Sequence, residues 1–160
     1  MADIEVFEKV DAGASETYPI RAGEVKKGSY VVIKGFPCKV VEVTTSKTGK
    51  HGHAKANITA LDIFTNKKYE EICPTSHNMT APNVSKTEYD IIGFEGDFVH
   101  LMTESGDVRE DIKWPTGDSD VAKQRSTIEG DVDSGEKTWI AIVQKAMGNE
   151  GVIATKEASS

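Results

Sequence analysis

From Tyr30 onward the apolar stretches are short, rich in β-branched residues, and cut at close intervals by glycine, proline or asparagine. This pattern leaves no room for long helices and points to strands joined by tight turns. The first series is "YVVIK" (30–34), "CKVVEVTT" (38–45), "ANITALDIF" (56–64) and "YEEICP" (69–74), with turns expected at Gly35-Phe36-Pro37 and Thr65–Lys68. Four or five such strands predict a small barrel, because closing a sheet removes its exposed edges.

A second series begins after "HNMTAPNVSK" (77–86), a stretch without periodicity that reads as a linker. It comprises "EYDIIGF" (88–94), "FVHLMT" (98–103) and "DVREDIK" (107–113), with turns at 95–97 and 104–106. A helix is expected over 119–130, capped by Ser119, with Val121, Ala122, Arg125 and Ile128 on one face. Strands at 137–147 and 152–155 close the chain around a turn at 148–151. Three strands, a helix and two strands is the order of an OB-fold.

Charge separates the two series. Residues 1–20 carry five acids and one lysine, net −4; residues 21–83 carry ten bases and five acids, net +5; residues 84–160 carry eight bases and sixteen acids, net −8. The middle region is therefore the candidate for phosphate-rich surfaces. Residues 1–18 are small, polar and acidic and read as a flexible arm with no apolar signal core. The longest apolar runs, such as "WIAIV" (139–143), are too short to span a bilayer, so no membrane span is expected. The two cysteines, Cys38 and Cys73, sit in strand-like apolar contexts, as buried thiols in a reducing compartment do.

One stretch stands apart. "TSKTGKHGHAK" (45–55) holds three lysines, two histidines and two glycines, and the chain has no acid between Val43 and Leu61. It is not a Walker A loop: Thr44 stands where the first glycine belongs, His51 replaces the hydroxyl residue, and a strand-like segment follows where a helix is needed. His51-x-His53 has the spacing of a chelate, with His77 and His100 as further candidates, but the segment lacks a carboxylate ligand and no metal is expected. RNA contact fits the positive charge, although without interleaved aromatics the loop can touch phosphates and not stack on bases. Gly49 and Gly52 bracket Lys50, leaving it free of bulky neighbours and accessible to another protein's active site. Phosphate contact by an unmodified loop and service as an enzyme's substrate both remain open on these residues alone.

The segment "TTSKTGKHGHAK" (44–55) resembles the modification loop of the eukaryotic translation initiation factor 5A family, the hypusine-containing proteins. The likeness extends through "DAGAS" (11–15), "KGFPCKVVEV" (34–43), "DIFTNKKYEEICPTSHN" (62–78) and "SGDVREDIK" (105–113), in the family's order. The resemblance implies an all-β, two-domain chain: a flexible arm (1–18), an SH3-like barrel (19–83) and an OB-fold with one short helix (84–157). It implies that Lys50 is the hypusine residue, aminobutylated by deoxyhypusine synthase with spermidine as donor and then hydroxylated by deoxyhypusine hydroxylase. Ser46, Lys47, Thr48, Gly49, His51, Gly52, His53 and Lys55 would support that modification and the contact with tRNA. No catalytic residue and no cofactor is implied. The implied partners are the ribosome and the acceptor end of peptidyl-tRNA, and the implied activity is assistance to peptide-bond formation at proline runs and to termination. The implied location is cytoplasmic, with nuclear shuttling allowed. Two positions depart from the family pattern: Phe36 replaces a usually basic residue, and Trp114 precedes Pro115 where an aliphatic residue is usual.

Overall fold

The computed structural model describes residues 16–47 and 54–158, which form two compact units divided between Asn83 and Val84. In the first, β2 (Tyr30–Ile33), β3 (Phe36–Lys47), β4 (Ala54–Asp62) and β5 (Lys68–Pro74) make an antiparallel sheet in sequence order. A bulge at Val41, between the paired residues Val40 and Glu42, bends β3 and helps the sheet curl. A second ribbon pairs β1 (Thr17–Arg21) with β6 (Asn78–Pro82), completing an SH3-like barrel. Alternation on β4 sends Ala56, Ile58 and Ala60 inward to meet Val31, Ile33, Cys38 and Val40.

Asp62, 4% exposed, ends that inward series. One of its carboxylate oxygens accepts hydrogen bonds from the backbone N–H groups of Phe64 (2.8 Å) and Thr65 (3.1 Å), which is what permits a carboxylate to be buried here. Cys38 and Cys73 are both buried and unpaired. Burial, reinforced by the neighbouring Asp62 charge, pushes the Cys38 thiol up to about 11 and leaves it unreactive at neutral pH.

The second unit is an antiparallel sheet in the order β11-β10-β7-β8-β9, built from β7 (Val84–Glu95), β8 (Phe98–Met102), β9 (Val108–Lys113), β10 (Trp139–Ala146) and β11 (Asn149–Glu157). Its two outer strands are joined by Arg109 of β9 and Glu150 of β11, whose guanidinium and carboxylate form two bonds of 3.0 and 2.8 Å. The same guanidinium binds Asp111 and the Tyr89 hydroxyl. These hydrogen bonds hold Glu150 and Asp111 below the usual carboxylate range. The helical segment comprises α1 (Asp120–Lys123) and α2 (Arg125–Ser134), and Ile128 is fully buried against the sheet. Ser119 caps α1 by accepting from the Ala122 N–H, and Gly135 ends α2 at φ 75°. At the step between the helices, the Thr155 hydroxyl donates to the Gln124 side-chain oxygen. Strand order and helix placement are those of an OB-fold.

The structure changes several local readings. Most of the stretch read as a linker is strand: β6 occupies 78–82 and β7 starts at Val84. Its short, proline-containing sequence pairs with β1, a partner some sixty residues distant that local periodicity does not reveal. Thr17 and Tyr18, assigned to the arm, belong to β1. The turn read as Gly35-Phe36-Pro37 is Lys34-Gly35, and that read as 148–151 is Met147-Gly148. Both central residues have positive φ in each (54° and 85°; 52° and 80°), the geometry that matches the twist of a two-residue hairpin. Trp114, the unusual residue before Pro115, is buried edge-on against Phe94, with its indole N–H donated to the Val121 carbonyl.

Candidate functional site

The 44–55 motif is carried by the β3–β4 ribbon. Both strands run further than their apolar pattern suggests, to Lys47 and from Ala54, because main-chain pairing continues after the side chains turn polar. Thr44 pairs with Asn57, Thr45 with Ala56, Ser46 with Lys55 and Lys47 with Ala54. Thr44 through Lys47 are all exposed and form an edge of the sheet beyond the end of β2, while the β4 residues opposite them pair on to β5 as far as Lys55 and Pro74 and keep Ala56 in the core. Alternation puts Ser46 and Lys55 on one face and Lys47 on the other, so the two described lysines line opposite sides of the ribbon. Thr48, Gly49, Lys50, His51, Gly52 and His53 lie outside the described residues.

The start of β4, next to the Thr48–His53 segment in the chain, is held firmly. The Ala54 carbonyl accepts from the backbone N–H of Thr75 (3.0 Å), and the Thr75 hydroxyl lies within 3.4 Å of the same oxygen. Thr75 is in turn fixed by Gly23, whose N–H donates to the Thr75 carbonyl at 3.0 Å. A Cβ on Gly23 would meet that carbonyl oxygen at 3.1 Å and Thr75 Cβ at 3.2 Å, so a larger residue would push Thr75 back by a few tenths of an ångström. Neither Gly23 nor Thr75 stands out in the sequence; their role exists only because the chain returns to the start of β4. Of the other histidines, His77 is exposed after β5, and His100 on β8 faces Glu95 and Glu110 at 3.5 and 3.9 Å.

An SH3-like barrel whose β3–β4 connection carries no acid, followed by an OB-fold, is matched by known proteins over nearly the whole chain. Residues 15–77 match the family model "Translation initiation factor 5A-like, N-terminal", and residues 83–156 match "Eukaryotic elongation factor 5A hypusine, DNA-binding OB fold". The chain belongs to the translation initiation factor 5A family. It is 49% identical over 158 residues to eukaryotic translation initiation factor 5A of Drosophila melanogaster, covering 98% of this chain and 96% of that one. The factor from Dictyostelium discoideum is 45% identical over 154 residues, covering 96% and 93%. Among solved structures, a translation initiation factor eif-5a family protein from Naegleria fowleri superposes with a TM-score of 0.80 at 53% identity, over 89% of this chain and 99% of that one. The factor from Methanococcus jannaschii gives 0.67 at 27% identity, over 88% and 96%. The protein is thus a translation factor of the 5A family with the hypusine-type OB domain. Among the described residues no helix is long and apolar enough to cross a membrane.

Proposed function

We propose that this factor acts through Lys50 after its conversion to hypusine, and that the chain is itself no enzyme. Deoxyhypusine synthase transfers an aminobutyl group from spermidine to Lys50, and deoxyhypusine hydroxylase completes the side chain. The observation that carries this reading is the exposed β3–β4 ribbon, paired out to Lys47 and Ala54, with the Thr48–His53 segment between its strands. A hairpin held by Thr75 at Ala54, where its pairing ends, supports delivery of one lysine into a modifying enzyme's cavity and afterwards into the ribosome.

The modified side chain is a long flexible dication. It binds the phosphates and sugars at the acceptor end of peptidyl-tRNA, where no base needs to be read. Holding that end in a reactive geometry accelerates peptide-bond formation at proline runs, and assists termination, by positioning while the ribosome supplies the chemistry. Lys47 and Lys55, on opposite faces of the ribbon, flank the same backbone. The factor then works in the cytoplasm. Translation of a proline-run reporter in a reconstituted system tests this. Modified wild-type protein should restore synthesis, and Lys50→Arg, which keeps the charge but cannot accept the aminobutyl group, should not. Equal rescue by Lys50→Arg would refute the proposal.

A further inference from the structure

The opposite end of β3 carries a second, unassigned cluster. Phe36, the first residue of β3, keeps 45% of its surface exposed. Its ring lies on Tyr69 of β5 with centroids 5.5 Å apart and planes 15° from parallel, an offset stack. The Lys67 ammonium sits 5.4 Å from the Tyr69 ring centroid. Lys34 in the β2–β3 turn and Lys68 at the start of β5 are both exposed and flank the pair in sequence. Lys39 and Lys68, in lateral register with Leu61 between them, lie on the other face of the sheet, since Phe36 and Tyr69 share the face of Cys38 and Ala60.

The cluster is fixed by its main chain. The Ile63 N–H donates to the Pro37 carbonyl at 3.0 Å, tying the β4–β5 turn to the residue after Phe36. Within that turn the Asp62 N–H donates to the Lys67 carbonyl, and the Lys67 N–H donates to the Thr65 hydroxyl oxygen. Asp62 is the sole acid between residues 60 and 69, and its buried carboxylate is bonded to the backbone N–H groups of Phe64 and Thr65. Glu70 lies 3.9 Å from Lys68, both well exposed, a pairing that screening makes weak.

We propose that Phe36, stacked on Tyr69, is a platform for one unstacked nucleobase of single-stranded RNA, with Lys34 and Lys67 reaching the flanking phosphates. A half-exposed ring already held parallel to a second ring presents a flat π-face, and such faces bind bases irrespective of sequence. The surrounding cations select a polyanion over an apolar peptide, which would have to desolvate them. RNA, as opposed to DNA, follows from membership of a translation-factor family. The platform itself is independent of Lys50: β3 carries Phe36 and Lys47 eleven residues apart, up to ~36 Å at ~3.3 Å per residue.

The test is fluorescence anisotropy with the full chain, Lys50 unmodified, and two labelled probes: a six-nucleotide single-stranded adenylate RNA and an abasic ribose-phosphate oligomer of equal length. Phe36→Ala should weaken the base-bearing probe about tenfold and leave the abasic probe unchanged, as loss of one stacked base requires. Lys67→Ala should weaken both probes and make log K against log salt shallower by about 0.7. Phe36→Trp retains the ring, should bind as wild type does, and should show additional tryptophan quenching by the base-bearing probe alone. Equal RNA binding by wild type and Phe36→Ala, or a Phe36→Trp protein with no base-dependent quenching, would overturn the proposal. Because no arm depends on hypusine, these failures would leave the role of Lys50 untouched.

Discussion

Removing Arg109 should open the second unit. Its guanidinium, on a side chain 23% exposed, makes two hydrogen bonds to Glu150, two to Asp111 and one to the Tyr89 hydroxyl. The Glu150 carboxylate is 25% exposed, and a charged hydrogen-bonded pair of that kind contributes about 1.5–3 kcal/mol. Asp111 is 64% exposed, which limits its share to about 0–1 kcal/mol. The ring of Tyr89, 5.5 Å from the guanidinium carbon, adds about 0.5–1 kcal/mol. Arg109→Ala is therefore expected to destabilise this unit by roughly 3 kcal/mol, a fall of roughly 12–24 °C in Tm for a domain of this size. Both tryptophans, Trp114 and Trp139, belong to the second unit, so tryptophan fluorescence during thermal or urea unfolding follows it selectively. The sign with pH is also determined. Glu150 and Asp111 are held below their ordinary values, so their stabilisation is present above about pH 5 and is lost as pH falls through the unfolded carboxylate range near ~4 and below. The gap between wild type and Arg109→Ala should narrow in that window. A gap below ~0.5 kcal/mol at pH 7, or one that widens on acidification, would refute the clamp.

Asp62→Ala should destabilise the first unit by about 2–3 kcal/mol, because the N–H groups of Phe64 and Thr65 lose their acceptor in a part-buried turn; urea unfolding followed by far-UV circular dichroism measures it. At pH 8 Cys38 should resist iodoacetamide in the folded protein and react promptly once urea unfolds it, since burial and the raised thiol pKa both disappear; peptide mapping by mass spectrometry distinguishes the two states.

The strands of both sheets could be read from the sequence because their inward residues are β-branched and alternate, as in Ala56, Ile58 and Ala60. The β1–β6 ribbon could not, since each partner is short and proline-containing, and each gains its pairing and its place against the core only when the chain returns some sixty residues later. Pro37 was misleading for a physical reason: proline marks turns, yet here it sits in β3 opposite Val32, and the turn is made by Lys34 and Gly35. The 45–55 motif announced itself by composition alone, a run without acids or bulk inside an acidic chain. Its supports did not, because Gly23 and Thr75 meet across half the barrel. The Arg109–Glu150 pair is likewise invisible locally, its members lying 41 residues apart on strands that touch only when the sheet closes.

The central claim concerns a single side chain, and mass spectrometry reads it directly. The full chain incubated with deoxyhypusine synthase and spermidine should gain one aminobutyl group, located by fragmentation of the 45–55 peptide on Lys50 and absent from Lys47 and Lys55. A chain that leaves the synthase unchanged, or that carries the group on a different lysine, would contradict the account.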